Sequence, residues 1–267
     1  MAQDHISQQR AVYTIAGMER ANVRRDLVYR TTADGPLTMD VYAPEDATAD
    51  TPLPAVVLVA GYNDVGYQRM LGVKFKEMAM SVSWSQLIAA SGLIAITYTN
   101  REPAADLEAL LQHVRDHGGA LGIDRDRIAV WACSGNVPLA LSALMAHGRT
   151  FIRCGTLLYG YMLDLDGETG VAEASAAFRF TNPNDGKSLD DMSEDLPLFI
   201  VRAGREQFPH LNRSIERFFA KALTLNRPVT LVNHADGPHS FDLLHDSDTS
   251  RRIIGQVLDF LAAHVTR

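Results

Sequence analysis

Ser134, Glu206 and His239 stand in that order in the chain, each shortly after an apolar run. A serine hydroxyl is a poor nucleophile at neutral pH. It needs a base to take its proton, and the base needs an acid to fix its tautomer and stabilise its charged form. Together the three residue types are equipped for acyl transfer, in which the hydroxyl attacks a carbonyl, a covalent intermediate forms and water releases it. The tetrahedral oxyanion on that path requires preorganised backbone donors, each worth roughly 3–4 kcal/mol. Gly135, next to the serine, offers one amide, and Gly61-Tyr62-Asn63 offers another through Tyr62, with Asn63 the alternative.

Other residues compete for these roles. Cys133 is a rival nucleophile, but that register puts bulky Trp131 two positions before the apex, where a sharp turn requires a small side chain. His234 could act as base in place of His239, although it lies directly at a strand end, where a structural histidine is common. Glu206 could instead pair with Arg205 or Arg202, leaving the acid to Asp164 or Asp166 beyond another strand. Asp236 and Asp242 are close enough to His239 in sequence to shape its loop. Trp84 and Tyr161 are expected to line the substrate pocket, with Met70, Met78 and Met80 as a flexible apolar wall. His113, His117, His147 and His264 fall on helices or their ends and read as solvated.

These side chains need an element to hold them. Arg127 to Trp131 is a strand-like apolar run, Ala132 to Asn136 holds only small or turn-tolerant residues, and Val137 to Met145 is a helical pattern led by Pro138. A strand that turns abruptly into a helix exposes the apical side chain, here Ser134. The positions two before and two after the apex must be small, and Ala132 and Asn136 occupy them. The following helix turns its positive end toward the serine oxygen, which favours developing negative charge there.

The rest of the chain repeats the strand–helix alternation. Asp26–Thr31 and Pro36–Tyr42 flank Ala33-Asp34-Gly35 as a hairpin. Residues 54–60, 92–99, 127–133, 151–162, 197–202 and 228–232 read as strands, the first two without polar alternation, as expected for strands covered on both faces. Leu107, Leu110, Leu111 and Val114 mark a helix that ends at Gly118-Gly119, and further helices are expected at 81–91, 211–225 and through Ile254 to Leu261. The expected class is α/β, a mostly parallel central sheet with helices on both faces and N-terminal antiparallel strands. Residues 1–25 form an arm, placed on the surface or against another subunit of a homodimer, and 26–267 a single domain. Residues 163–195 are the one long irregular insertion and read as a small lid. In such sheets ligands bind at the carboxyl ends of strands.

In this order, with Pro238-His239-Ser240-Phe241 in the last loop and Ala203-Gly204-Arg205-Glu206 after the preceding strand, the chain resembles the α/β-hydrolases, near the dienelactone-hydrolase-like and small esterase branch. The resemblance spans about residues 26–265. It implies a serine carboxylesterase in which Ser134 is the nucleophile, His239 the base, Glu206 the acid and the Gly135 and Tyr62 amides the oxyanion hole. Two departures stand out. Ala132-Cys133-Ser134-Gly135-Asn136 replaces both outer glycines of G-x-S-x-G, and the acid, commonly Asp, is Glu. A peptidase or amidase with the same triad, and a binding protein on the same fold, are the alternatives.

Composition narrows the partners. The 267 residues carry a net charge of −7, and the basic residues are scattered, so neither nucleic acid nor an anionic membrane is an expected partner. No apolar run approaches the roughly 18 residues of a membrane span, and no secretory leader is evident, so a cytoplasmic location is expected. No P-loop, dinucleotide fingerprint or zinc spacing occurs, so the sequence implies no cofactor and no metal, and a small-molecule ester is the expected substrate. Cys133 and Cys154 read as buried free thiols.

Overall fold

A computed structural model describes residues 5–146 and 148–266. Eight strands form one sheet: β1 (Asn22–Thr32), β2 (Gly35–Ala43), β3 (Leu53–Leu58), β4 (Ile94–Tyr98), β5 (Ile123–Cys133), β6 (Ile152–Leu158), β7 (Leu198–Ala203) and β8 (Val229–His234). Their spatial order is β1-β2-β4-β3-β5-β6-β7-β8. The β1–β2 hairpin and the β2–β4 pair are antiparallel, and every other pair is parallel. β4 is buried at every residue and β3 at all but Leu53, which accounts for their unbroken apolar runs.

Eight α-helices complete the layers: α1 (Asp64–Leu71), α2 (Ala79–Ala90), α3 (Pro103–His117), α4 (Val137–Leu144), α5 (Val171–Phe178), α6 (Leu211–Thr224), α7 (Phe241–Leu244) and α8 (Asp248–Val265). On α3 the buried residues are Asp106, Leu107, Leu110, Leu111 and Val114, one stripe at helical spacing. Pro138 opens α4, where the missing amide proton has no intrahelical partner to lose.

Two features depart from the expected layout, and the arm takes one of its two expected placements. β1 begins at Asn22 rather than Asp26, because a bulge with Asp26 at φ 54° splits the strand and breaks its alternation. The 163–195 insertion is not irregular throughout: the Ala-rich stretch Val171–Phe178 is helical, and Leu163, Val171, Phe180 and Leu189 enter the core. The described part of the N-terminal arm docks on its own chain. Ala11 N–H donates to Ser83 Oγ on α2 (3.0 Å), Val12 N–H to the Asp242 carbonyl on α7 (2.8 Å), and Arg10 reaches Gln86 (2.8 Å). Residues 1–4 of the arm lie outside the described residues, as does His147. Among the described residues no helix is long and apolar enough to cross a membrane, and no group of three His, Cys, Asp or Glu side chains is arranged to hold a metal.

Candidate active site

β5 runs straight into a 3-10 turn at Ser134–Asn136 and then into α4. Ser134 takes φ 53°, the left-handed backbone that lifts its hydroxyl out of the turn. Asn136 sits at φ −85°, ψ −19°, so this position demands no left-handed backbone. Two facing glycines lie against the elbow backbone. A Cβ on Gly61 would lie 2.7 Å from Asn136 Cα and 2.5 Å from the Gly135 carbonyl, and one on Gly160 would lie 2.5 Å from the Ser134 carbonyl.

The strand-end loops bring three side chains together. Ser134 Oγ lies 2.8 Å from His239 Nε2, and His239 Nδ1 lies 2.6 Å from Glu206 Oε2. The other glutamate oxygen accepts the amides of Gln207 (2.8 Å) and Phe208 (2.9 Å), which fixes the carboxylate plane. The Glu206 side chain is only 1 % exposed. That burial pushes its pKa up, but the His239 hydrogen bond and charge together with the two amides outweigh it and hold the carboxyl below its ordinary value. Tyr159 and Phe208 pack edge-on to the imidazole, with centroids at 5.0 and 4.7 Å. A serine hydroxyl in contact with an imidazole whose far nitrogen is held by a carboxylate can transfer its proton as it attacks an electrophile.

The loop after β3 faces the same elbow. The Gly61 amide donates to Asn136 Oδ1 (2.7 Å) and the Asp64 amide to the Asn100 carbonyl (3.2 Å). Among the described residues the Tyr62 and Asn63 amides between them meet no acceptor. The Tyr62 ring crosses Gly135, where a Cβ would come within 2.9 Å of a ring carbon.

No family model matches this sequence, and no curated protein is similar to it in sequence. Solved structures are similar in three dimensions. Esterase 2 of Thermogutta terrifontis, phosphonylated by sarin, is 17% identical with TM-score 0.66, over 92% of this chain and 95% of that one. The same esterase with butyrate bound gives 16% and 0.65 over the same shares. A hyperthermophilic esterase from the archaeon Pyrobaculum calidifontis is 20% identical with TM-score 0.64, over 91% and 85%. The chain has the α/β-hydrolase fold.

Within this α/β-hydrolase fold a cavity of about 280 Å³ opens on Ser134 and His239. Its walls are largely apolar: Met70 and Leu71 of α1, then Phe75, Met78 and Met80, then Leu243 of α7, with Ile6 of the N-terminal arm on one side. Ser134, Tyr159 (φ 36°) and Ser240 (φ 57°) all line it, so three residues in left-handed backbone surround one space. A second cavity, of about 330 Å³, shares Tyr62 and Met70 with the first and is bordered by Phe178, Arg179 and Thr181 of the 163–195 insertion.

Two sequence expectations, Trp84 and Tyr161, need correction, and the rival candidates are engaged elsewhere. Trp84 does not line the cavity; it is fully buried, packs on Trp131 at 4.9 Å and donates its indole N–H to Asp242 (2.8 Å). Tyr161 is buried as well: its hydroxyl donates to the Pro209 carbonyl (2.8 Å) and its ring stacks on Phe180. Nearness to a strand end or to the first helix does not tell which way a ring points. Asp164 caps the 169–172 turn and Asp166 pairs with Arg217, so neither is bonded to His239. His234 is bonded to Ser250 (3.0 Å) and not to Ser134. Cys133 is buried beside Met80 (4.0 Å), and burial pushes its thiol far up, against thiolate formation.

Sequence reasoning missed Tyr159, Phe208, Tyr67 and Ile6. Only Tyr159 had a usable signal, as the aromatic closing a strand just before Gly160. The others meet the site through contacts that no local pattern encodes.

Proposed function

We propose that this protein hydrolyses carboxylic esters of small molecules through an acyl-enzyme. The observation that carries the reading is the unbroken line of two hydrogen bonds from Ser134 through His239 to Glu206, ending on a cavity large enough for a small apolar group. Ser134 Oγ attacks the ester carbonyl while His239 Nε2 takes its proton. Glu206 holds the tautomer with the proton on Nδ1 and stabilises the imidazolium. The oxyanion is received by the Gly135 and Tyr62 amides. His239 returns the proton to the alkoxide as the alcohol departs, then draws a proton from water, whose oxygen attacks the acyl carbon; as the Ser134–acyl bond breaks, His239 passes that proton to Ser134 Oγ and the carboxylic acid leaves.

The Thermogutta esterase binds propionate and butyrate and is modified by organophosphorus agents, which supports a small acyl group and a reactive serine here. The mainly apolar cavity favours uncharged acyl chains over a peptide. The free, buried Cys133 and Cys154 fit a reducing compartment, which supports the cytoplasm. One domain carries the reaction, with 163–195 as a wall or lid beside the cavity.

The test is hydrolysis of p-nitrophenyl acetate, butyrate and octanoate by the wild type beside a folded Ser134→Ala variant, together with a fluorophosphonate label. Wild-type turnover that disappears with Ser134→Ala, and label carried on Ser134, is the expected result. Undiminished turnover by Ser134→Ala, or no label on the wild type, sinks the reading.

A further inference from the structure

Asn136 stands where the elbow motif has its second outer glycine, and its backbone does not explain it. Its side chain does. Only 5 % of the residue is exposed, and Oδ1 accepts two hydrogen bonds, from the Gly61 amide at 2.7 Å and from the Tyr67 hydroxyl at 2.5 Å. Nδ2 points back to Cys133 Sγ at 3.8 Å. One oxygen thus ties the elbow after β5 to two consecutive elements far earlier in the chain, the loop after β3 and α1. The tie falls between the two amides assigned above to the oxyanion. Gly135 immediately precedes Asn136, and Tyr62 immediately follows Gly61. Gly61 also touches the elbow backbone so closely that it accepts no side chain, so loop and turn are in register contact as well as hydrogen-bonded.

We propose that Asn136 is a positioning residue that sets the distance between the two oxyanion donors, an inference that rests on the ester-hydrolase reading of the same site. Donors act fully only when held 2.7–3.1 Å from the place the oxyanion will occupy, and a misplacement of about 1 Å can cost on the order of 100-fold. A glycine at 136 would leave the Tyr62 amide to be placed by the loop alone. With asparagine, the amide one residue earlier is pinned to the residue after Gly135, so the two donors move as a unit. The acceptor must be an uncharged oxygen. A carboxylate there would make the same two bonds but would set a negative charge beside the developing oxyanion.

Two variants separate positioning from mere packing. In Asn136→Ala, kcat for p-nitrophenyl butyrate falls roughly 10- to 100-fold with KM within about threefold, and the affinity of a trifluoromethyl ketone, which forms a tetrahedral adduct on the serine, weakens by a similar factor. Asn136→Asp keeps the shape and guards against an alanine variant that fails to fold. Relative to the wild type, its kcat falls as pH rises from 6 to 9, because an ionised carboxylate there opposes the developing oxyanion. A purely structural role would lower the active fraction, read by fluorophosphonate titration, and leave per-site kcat, ketone affinity and the shape of the pH profile as in the wild type. That result overturns the proposal. If Ser134→Ala keeps wild-type activity, the ester-hydrolase reading itself is wrong; if Ser134→Ala is inactive and Asn136→Ala keeps its kcat, only the role of Asn136 is refuted.

Discussion

Glu206 Oε2 approaches His239 Nδ1 to 2.6 Å while the same carboxylate accepts two successive backbone amides, Gln207 and Phe208, through its other oxygen. The glutamate is therefore fixed by its own loop and not by the histidine it serves. The additional methylene that separates it from the more usual aspartate is absorbed by that local turn.

Replacing the carboxylate tests this arrangement directly. Glu206→Gln keeps the shape but offers its amide N–H, or an uncharged oxygen, to Nδ1, so the tautomer is no longer enforced and the imidazolium loses its counter-charge. Butyrate-ester kcat is expected to fall roughly 10²- to 10⁴-fold with little change in KM. A loss under fivefold in steady-state kinetics would mean that another group orients His239.

The same bond makes a stability statement. The Glu206 pKa is lowered in the folded protein, so its contribution is fully present above the unfolded carboxyl value and is lost as pH falls through the folded value. Wild type should therefore exceed Glu206→Gln in Tm at pH 7, and the gap should close toward pH 3. Calorimetric scans at both pH values check the sign, and a gap that widened in acid would contradict it.

Asp64 works in the opposite direction. Burial pushes its carboxyl up to about 6; Lys74 Nζ, 3.9 Å away, offsets this only in part, and Oδ1 has no hydrogen-bond partner. A folded pKa above the unfolded one means that stability is lost as pH rises between about 4 and 6 and stays lost above. Asp64→Asn should raise Tm by roughly 2–4 °C at pH 8, about 1 kcal/mol in a protein of this size, with no gain at pH 4. Equal Tm at pH 8 would show that the charge is better solvated than its burial suggests.

Beneath the imidazole, Asp242 accepts the Trp84 indole at 2.8 Å and the Tyr159 hydroxyl at 2.5 Å, in full burial. Asp242→Ala strands two buried donors and opens a void, a cost of roughly 2–4 kcal/mol. Tm is expected to fall by at least about 5 °C. Asp242→Asn, which retains one acceptor oxygen, should fall between the two. Because Tyr159 packs on His239, kcat should drop as well, though less than for Glu206→Gln.

How far the sequence reveals this molecule depends on the range of each interaction. β3 and β4 are legible because a strand covered on both faces must be apolar throughout, and α3 because its stripe repeats every helical turn. Ser134, Glu206 and His239 were locatable because each follows a strand, and the fold gathers strand ends at one edge. Asn136 reads as a defect in a motif, since its partner Gly61 lies 75 residues away. Trp84 reads as a pocket residue, since nothing local reports that its indole meets a carboxylate 158 residues on. Chemistry carried by residue type was visible; the direction of a side chain set by distant partners was not.

The N-terminal arm shows the same long-range logic. It carries no chemistry of its own, yet Ile6 reaches the cavity that opens on Ser134, held there by the Ala11–Ser83 and Val12–Asp242 bonds. If that cavity receives the acyl chain, a larger side chain at position 6 shortens the space without touching Ser134, His239 or Glu206. Ile6→Trp should lower kcat/KM for p-nitrophenyl octanoate at least about tenfold relative to the acetate ester, in line with the 1–3 kcal/mol that one methylene can be worth in an apolar pocket. Parallel chain-length profiles for Ile6→Trp and wild type would place the acyl group elsewhere, with the second cavity beside Tyr62 the next wall to alter.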